Sequence, residues 1–358
     1  MGGFIPGGPQ LPTAGEVGHD WTVPGRGRRG EIMIISRTPF RISLGGGGTD
    51  LPSYYRRYGG FFVSGAVDRY VYVSLNPSFD RNNLRVGYSA NEIVSGADEV
   101  AHGAVRESLR LLGIDSGLEI VSMADAPSST GLGSSSSFCV GLLGALHTYL
   151  RQEVSRQDLA EEACRVAMER LQEPSGKQDE YAATFGGICS YQIDQRGGVT
   201  VDPLHLPVAT LAELEAGILM FYTGITRSAS SVLRSQQQAI DQGDAAEKMH
   251  RIKELGIQSR DALVRGDLAE FGGLIHEHWL VKRGVVDSMT TAPVDRWVST
   301  ALRNGALGVK LVGAGGGGFL MAYCDHDRAR LRRAMADEGL VEHRFRFDFE
   351  GSKIIYNV

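Results

Sequence analysis

Residues 127–137 read Pro-Ser-Ser-Thr-Gly-Leu-Gly-Ser-Ser-Ser-Ser, a run able to bind an anion with backbone and hydroxyl donors together. Gly131 and Gly133 lack the Cβ atoms that would hold backbone N–H groups away from a phosphate. Ser134, Ser135, Ser136 and Ser137 add hydroxyl donors and a candidate metal ligand. An apolar helix running to residue 150 would point its positive dipole end at the same anion. Glycine and serine also build ordinary loops, so the run alone establishes an anion cradle and no more. Two further glycine-rich segments, 45–48 and 310–319, also stand beside β-prone runs, and three such segments in one chain imply a shared ligand. A fourth stretch, 173–187, is dense in polar residues yet leads straight into an apolar strand, which marks it as part of a site.

Motif order narrows the ligand. None of the glycine segments shows strand, Gly-x-Gly-x-x-Gly and helix with an acidic residue about 20 positions on, which weakens a dinucleotide-binding oxidoreductase. A Walker-type loop is excluded, because no Gly-Lys-Ser/Thr follows a suitable glycine.

The elements that must position these residues follow from periodicity. β-prone pieces at 33–44 are broken at Pro39; strand-like runs follow over 60–76, with a break near Gly65, and over 84–88, giving a mostly antiparallel first sheet. A helix is expected over 98–112, a strand over 118–124 before the serine loop, and a helix over 155–171 with Ser155 as its N-cap. Gly197-Gly198 reads as a hairpin turn, and a soft domain boundary falls near 203–207. The second half opens on a buried strand at 217–222, continues with helices over 228–283 and 294–303, and closes with strand, glycine turn, strand, a charged helix and two end strands. That pattern is α+β. The organisation expected is a disordered extension over 1–32, a first domain over 33–205 and a second over 206–358. Met33 opens the first strand-like run and is read as the natural start.

Composition excludes several classes. With 42% hydrophobic and 22% charged residues the chain is an ordinary globular protein. A formal net charge of −5 argues against nucleic acid as a partner. No apolar run approaches the about 20 residues of a membrane span, and the first residues lack the order of a secretory signal, so a cytoplasmic location without membrane association is expected. Four scattered cysteines in apolar segments read as reduced and buried. His276 and His278 lie two apart on an expected helix and so form no metal pair. A homodimer is compatible with the sequence, which sets no oligomeric state.

From residue 33 to its end the chain resembles the GHMP small-molecule kinases, whose three motifs occur in order as Thr38-Pro-Phe-Arg-Ile-Ser-Leu-Gly-Gly-Gly-Gly-Thr-Asp50, residues 127–137 and residues 310–319. Within that family the version it is most similar to is the heptose 7-phosphate 1-kinases, through 37–50, 173–187 and 222–227. The resemblance implies a GHMP kinase fold: an N-terminal ATP-binding domain like ribosomal protein S5 domain 2, a ferredoxin-like C-terminal domain, and an active site in the cleft between them. It implies ATP and Mg²⁺ as cofactors. Asp179 matches the family's catalytic aspartate, which would orient the attacking hydroxyl and accept its proton, and Arg41 a basic position beside the transferred phosphate. Pro127, Gly131, Leu132, Gly133 and Ser134 to Ser137 would hold the nucleotide; Ser135 falls where the loop serine binds Mg²⁺, and Glu169 near the acidic metal ligand. Asp50, with Gly47 and Gly48, matches sugar-contacting positions, and Gly315 and Gly316 are expected at the substrate. Galactokinases carry Glu-His where this chain has Gly47-Gly48, which argues against galactose. A phosphate on the substrate needs its own cation, for which Arg227 and Lys177 stand first and Lys282 and Arg283 follow. The expected activity is a sugar 1-kinase acting on a small-molecule sugar phosphate, the heptose 7-phosphate. A fucokinase-like enzyme and a non-catalytic nucleotide or sugar sensor of the same fold are the alternatives.

Overall fold

The computed structural model describes residues 33–127, 130–225, 229–243, 245–286 and 289–358. The extension over 1–32 and Arg227 lie outside the described residues. The strands are β1 (Ile34–Gly45), β2 (Gly60–Pro77), β3 (Leu84–Gly87), β4 (Asn91–Val94), β5 (Leu118–Ala124), β6 (Ile188–Ile193), β7 (Val199–Pro203), β8 (Ile218–Tyr222), β9 (Gly308–Leu311), β10 (Phe319–Tyr323), β11 (Val341–Glu342) and β12 (Lys353–Asn357). The helices are α1 (Pro52–Tyr58), α2 (Gly103–Leu111), α3 (Ser134–Leu150), α4 (Arg156–Arg165), α5 (Gln178–Phe185), α6 (Val208–Gly217), α7 (Ala229–Asp241), α8 (Ala246–Arg265), α9 (Leu268–Arg283), α10 (Ala292–Arg303) and α11 (Arg328–Asp337).

Two sheets organise the molecule. Eight strands form the larger, in the order β12-β1-β2-β5-β3-β4 with β6 on β2 and β7 on β6; the smaller runs β11-β8-β10-β9. Only the β3–β5 pair of the larger sheet is parallel. The break expected at Gly65 does not interrupt β2, an 18-residue strand that pairs with β6 over 60–65 and with β5 over 71–77. Gly65 lies near the change of partner, and the Phe347 ring occupies the place of its missing Cβ. Pro39 likewise marks an irregularity in the β1–β2 register rather than an end.

Helices α3, α5 and α8 all pack on β1 and β2. One continuous apolar core includes Phe40 and Val73 of the larger sheet, Leu142 of α3, Leu255 of α8, Phe271 of α9 and Met220 and Met321 of the smaller sheet. The expected N-cap is in place: Ser155 Oγ accepts from the Asp158 N–H at 3.0 Å. The helix it caps stops being α-helical at Arg165, and residues 166–170 form a π-helical turn in which Leu171 N–H donates to Val166 O at 3.0 Å. All four cysteines are free and buried. Among the described residues no helix is long and apolar enough to cross a membrane.

The serine loop and the turn joining β9 to β10 meet backbone to backbone. A Cβ on Gly131 would stand 2.5 Å from Val312 O, and one on Gly313 2.6 Å from Gly131 O; both residues have positive φ, +83° and +79°. A Cβ on Gly318, at φ +86°, would collide with Thr130 O. Substituting Gly313 with alanine therefore adds left-handed strain to a steric clash. We expect Gly313→Ala to lose more than about 1 kcal/mol in urea unfolding. An unchanged midpoint would show that the two turns separate freely.

Candidate active site

The serine loop, the start of α5 and the 45–51 segment converge on a cleft of about 430 Å³, whose lining includes Arg41, Gly48, Asp50, Gly131, Gly133, Ser134, Ser135, Ser136, Glu173, Asp179, Glu180 and Lys282. Its size falls in the range of small-molecule sites. Arg41, on buried β1, donates from Nε to Asp179 Oδ1 at 2.8 Å, from Nη2 to Asp179 Oδ2 at 2.7 Å and from Nη1 to the Gly131 carbonyl at 2.5 Å. Its side chain is 5% exposed, that of Asp179 31%. The cation is thus buried and fully engaged, while the carboxylate is the member that faces the cleft.

Asp50 is buried, and its oxygens accept from Gly48 N–H at 2.9 Å and Gln178 N–H at 3.0 Å. Burial raises its pKa, the two backbone donors oppose that rise, and the charge of Asp179 adds to it. Glu180 is buried one residue beyond Asp179; Ser136 Oγ donates to its Oε1 at 2.8 Å, and its Oε2 has no partner. Burial, reinforced by Asp179, pushes its pKa up to about 8. Glu173 is exposed as a residue, and partial desolvation of its carboxyl at the cleft raises its pKa. Lys282 Nζ donates to Gly313 O at 2.8 Å, and burial pushes its pKa down to about 8.

Arg41, Asp179, Asp50, Gly48, Gly131, Gly133, Ser134, Ser135 and Ser136 all line the cleft. Ser137 does not: its hydroxyl donates to Pro39 O at 2.8 Å and ties the helix start to β1. Pro127 and Leu132 line a second, largely apolar cavity of about 210 Å³ that includes Ile42, Met220 and Phe319. Gly47 packs against Ser43 and Gln178, and Gly315 and Gly316 against Met289, so the third motif reaches the cleft through Gly313 and Ala314 instead. Lys177 is also placed elsewhere: its ammonium donates to both Glu161 oxygens and to Gly197 O, each at 2.7 Å. Arg283 pairs with Asp295 at 3.0 Å.

Glu169 is exposed in the π turn and does not line the cleft, whereas Glu173 does. The π turn adds a residue to the helical repeat just before the polar stretch, so the orientation of Glu169 does not follow from a regular α-helix. Sequence reading did not single out Glu173, Glu180, Gln178 or Gln236; the first three sit in the polar stretch that had been marked, but Gln236 carries no motif signal. Among the described residues no group of three or more His, Cys, Asp or Glu side chains could hold a metal unaided. The donor set does suit Mg²⁺, which takes one or two protein oxygens and completes its shell with phosphates and water.

The chain matches both domains of the GHMP kinases, ATP-dependent phosphotransferases with an alcohol acceptor: the GHMP kinases N terminal domain at residues 98–187 and the GHMP kinases C terminal domain at residues 259–340. It is similar to the D-glycero-alpha-D-manno-heptose 7-phosphate kinase of Campylobacter jejuni, 28% identical over 342 residues that cover 89% of this chain and 98% of that one. The L-fucokinase/L-fucose-1-P guanylyltransferase of Bacteroides fragilis is 27% identical over 88% of this chain and 37% of its own length. A crystal structure of a D-glycero-D-manno-heptose 1-phosphate kinase from Bacteroides thetaiotaomicron shares the fold, with a TM-score of 0.74, 24% identity and coverage of 90% of this chain and 98% of that one.

The raised Glu180 pKa has a stability consequence. The folded state holds this proton up to about pH 8, whereas an ordinary glutamate releases it near 4.5. The stabilisation is complete below that lower value and is lost as pH rises through the upper one. We expect unfolding free energy to fall across this window, with Glu180 contributing on the order of a few kcal/mol, and Glu180→Gln to flatten the fall. Parallel profiles for the two proteins would show that Glu180 is ionised in the fold.

Proposed function

We propose that this protein is an ATP-dependent sugar 1-kinase that phosphorylates the anomeric hydroxyl of D-glycero-D-manno-heptose 7-phosphate to give the 1,7-bisphosphate. The observation that carries the reading is the two-bond Arg41–Asp179 pair, held against Gly131 of the serine loop at the wall of one cleft. A carboxylate fixed through both oxygens to a buried guanidinium keeps one orientation while part of it faces the acceptor. In the proposed step the anomeric oxygen attacks the γ-phosphorus and its proton passes to Asp179. The bond from γ-phosphorus to the bridging oxygen breaks, and ADP leaves with the electron pair. Gly131, Gly133 and Ser134 to Ser136 would cradle the donor's phosphates with N–H and hydroxyl donors. Mg²⁺ bound to those phosphates would supply charge neutralisation, with Ser135 and Glu173 as the oxygen donors the cleft offers.

The heptose 7-phosphate is supported by similarity to the Campylobacter jejuni enzyme across almost the whole of both chains. The fucokinase relative makes an unphosphorylated sugar the second reading. The division into 33–205 and 206–358 belongs to the same proposal, each part contributing one wall of the cleft.

Turnover on heptose 7-phosphate, fucose, galactose and mannose under identical conditions tests the substrate. We expect the heptose phosphate to give the highest kcat/KM and the new phosphate to appear at C1; a preference for fucose would replace it. In Asp179→Asn we expect nucleotide affinity within about threefold of the parent and kcat lower by about 10²–10⁴-fold. Near-parental turnover in that variant would remove the base assignment.

A further inference from the structure

The cleft is lined by two cations, Arg41 and Lys282, among the described residues. They differ in charge balance: Arg41 is ion-paired with Asp179, whereas no carboxylate among the described residues is recorded within ion-pair distance of Lys282. Arg41 directs Nε and Nη2 to Asp179 and Nη1 to Gly131 O. Lys282 carries three donors, and its one recorded acceptor is Gly313 O. Of the other residues considered as anion anchors, Lys177 is committed to Glu161 and Gly197 and Arg283 to Asp295, while Arg227 lies outside the described residues. Lys310 is buried against Ser43 O at 2.9 Å and is not part of the lining.

Position then distinguishes which anion Lys282 would meet. Its Nζ is anchored on Gly313, whose backbone abuts Gly131, and Gly131 is where Arg41 makes its third bond. The ammonium therefore stands near the serine loop, where Asp50 first and then Arg41 and Asp179 act on its charge. We propose that Lys282 is a further catalytic residue whose ammonium contacts the γ-phosphoryl group of the donor and stabilises it during transfer. This inference rests on the kinase reading but not on the identity of the sugar.

The setting suits that task. α9 carries Lys282 deep into the fold, with its aliphatic stem buried and its head at the cleft. The charged and titratable groups that act on it are Asp50 before α1, Asp179 on α5 and Arg41 on β1, with His278 one turn back on α9 and Lys310 on β9 completing the surroundings. His278 is buried with both ring nitrogens unpaired, and burial holds its pKa far below the ordinary value, so it adds no positive charge at neutral pH. A cation already desolvated and fixed before the substrate arrives needs little rearrangement to meet developing phosphoryl charge. Because burial brings its proton loss to about pH 8, the contact is charge-assisted below that pH and weakens above it.

The test compares a non-hydrolysable ATP analogue with ADP by calorimetry, a readout that needs no acceptor. In Lys282→Met we expect the analogue's Kd to rise about 10-fold, equivalent to about 1.4 kcal/mol, with the Kd of ADP within twofold. On the acceptor that the wild type turns over best, kcat should fall about 10²-fold with little change in acceptor KM. Lys282→Arg should retain the preference for the analogue over ADP and hold it above about pH 9, where the wild type loses it. Urea unfolding of both variants checks that each is folded; if Lys282→Met is not, the Arg variant and the wild-type pH dependence decide. Equal effects on ADP and the analogue, or a higher KM for a phosphorylated acceptor with kcat unchanged, would overturn the assignment. So would analogue affinity that is flat across pH in both wild type and Lys282→Arg. Failure of the wild type to phosphorylate any sugar would strike the sugar-kinase reading, while the calorimetric comparison would still test the contact between Lys282 and the γ-phosphoryl group.

Discussion

The constraint on which the site depends is the guanidinium of Arg41. It is buried on a strand whose residues 38 to 45 are all buried, where an unpaired charge is costly, and its three bonds reach two other elements. Two bonds fix the Asp179 carboxylate at the first turn of α5, and the third fixes the carbonyl between Thr130 and Leu132 in the serine loop. Strand, helix start and phosphate loop are thus tied through one side chain. Moving any one leaves the charge partly unpaired, and that cost gives the constellation its rigidity.

Backbone contact does the rest. Gly131 against Val312 and Gly313, Gly318 against Thr130, and Gly46 against Phe61 and Gly256 bring five segments closer than side chains would permit. These glycines serve packing as much as ligand access. The glycine runs are therefore brought together by backbone packing as well as by any ligand they share. Only Gly48, Gly131, Gly133 and Gly313 of those runs line the cleft; their neighbours bring the loops together.

Much of this was legible from residue order, and the failures have identifiable physical sources. The strand at 118–124 and the Ser155 cap followed from local patterning, and Asp179, Arg41 and Asp50 from family motifs. Glu169 was placed by its nearness to the family's acidic metal ligand, and it lies exposed in the π turn at Val166–Arg170, away from the cleft lining. Pro127 and Leu132 were assigned with their loop, but successive loop residues face different cavities: Thr130 and Leu132 the apolar one, Gly131 and Gly133 the cleft. Lys177 is adjacent in sequence to the Gln178 and Asp179 of the cleft, yet its ammonium is taken by Glu161 of α4, a partner 16 positions away that no local pattern announces. Gln236 reaches the cleft from α7 by tertiary packing, a relation that spacing does not encode, whereas Lys282 of α9 was among the cations considered and does line it.

Electrostatics complete the account of how such a cleft can receive a polyanion. Its lining holds four carboxylates, Asp50, Glu173, Asp179 and Glu180, against two cations. Were all four fully ionised, the excess negative charge would oppose any phosphate. Desolvation removes part of that opposition: it raises Asp50, Glu173 and Glu180, and carries Glu180 past neutrality so that it holds its proton at pH 7. Asp179 differs through its partner, since both its oxygens are bound to Arg41 and its charge is balanced there. What faces the ligand is one oriented carboxylate, a row of hydroxyl and N–H donors, and the ammonium of Lys282. The same desolvation that holds the proton on Glu180 loosens the one on Lys282, so the cleft combines a weakened acid with a responsive cation. That combination suits it to a charge that shifts between two oxygens during phosphoryl transfer better than to a static anion.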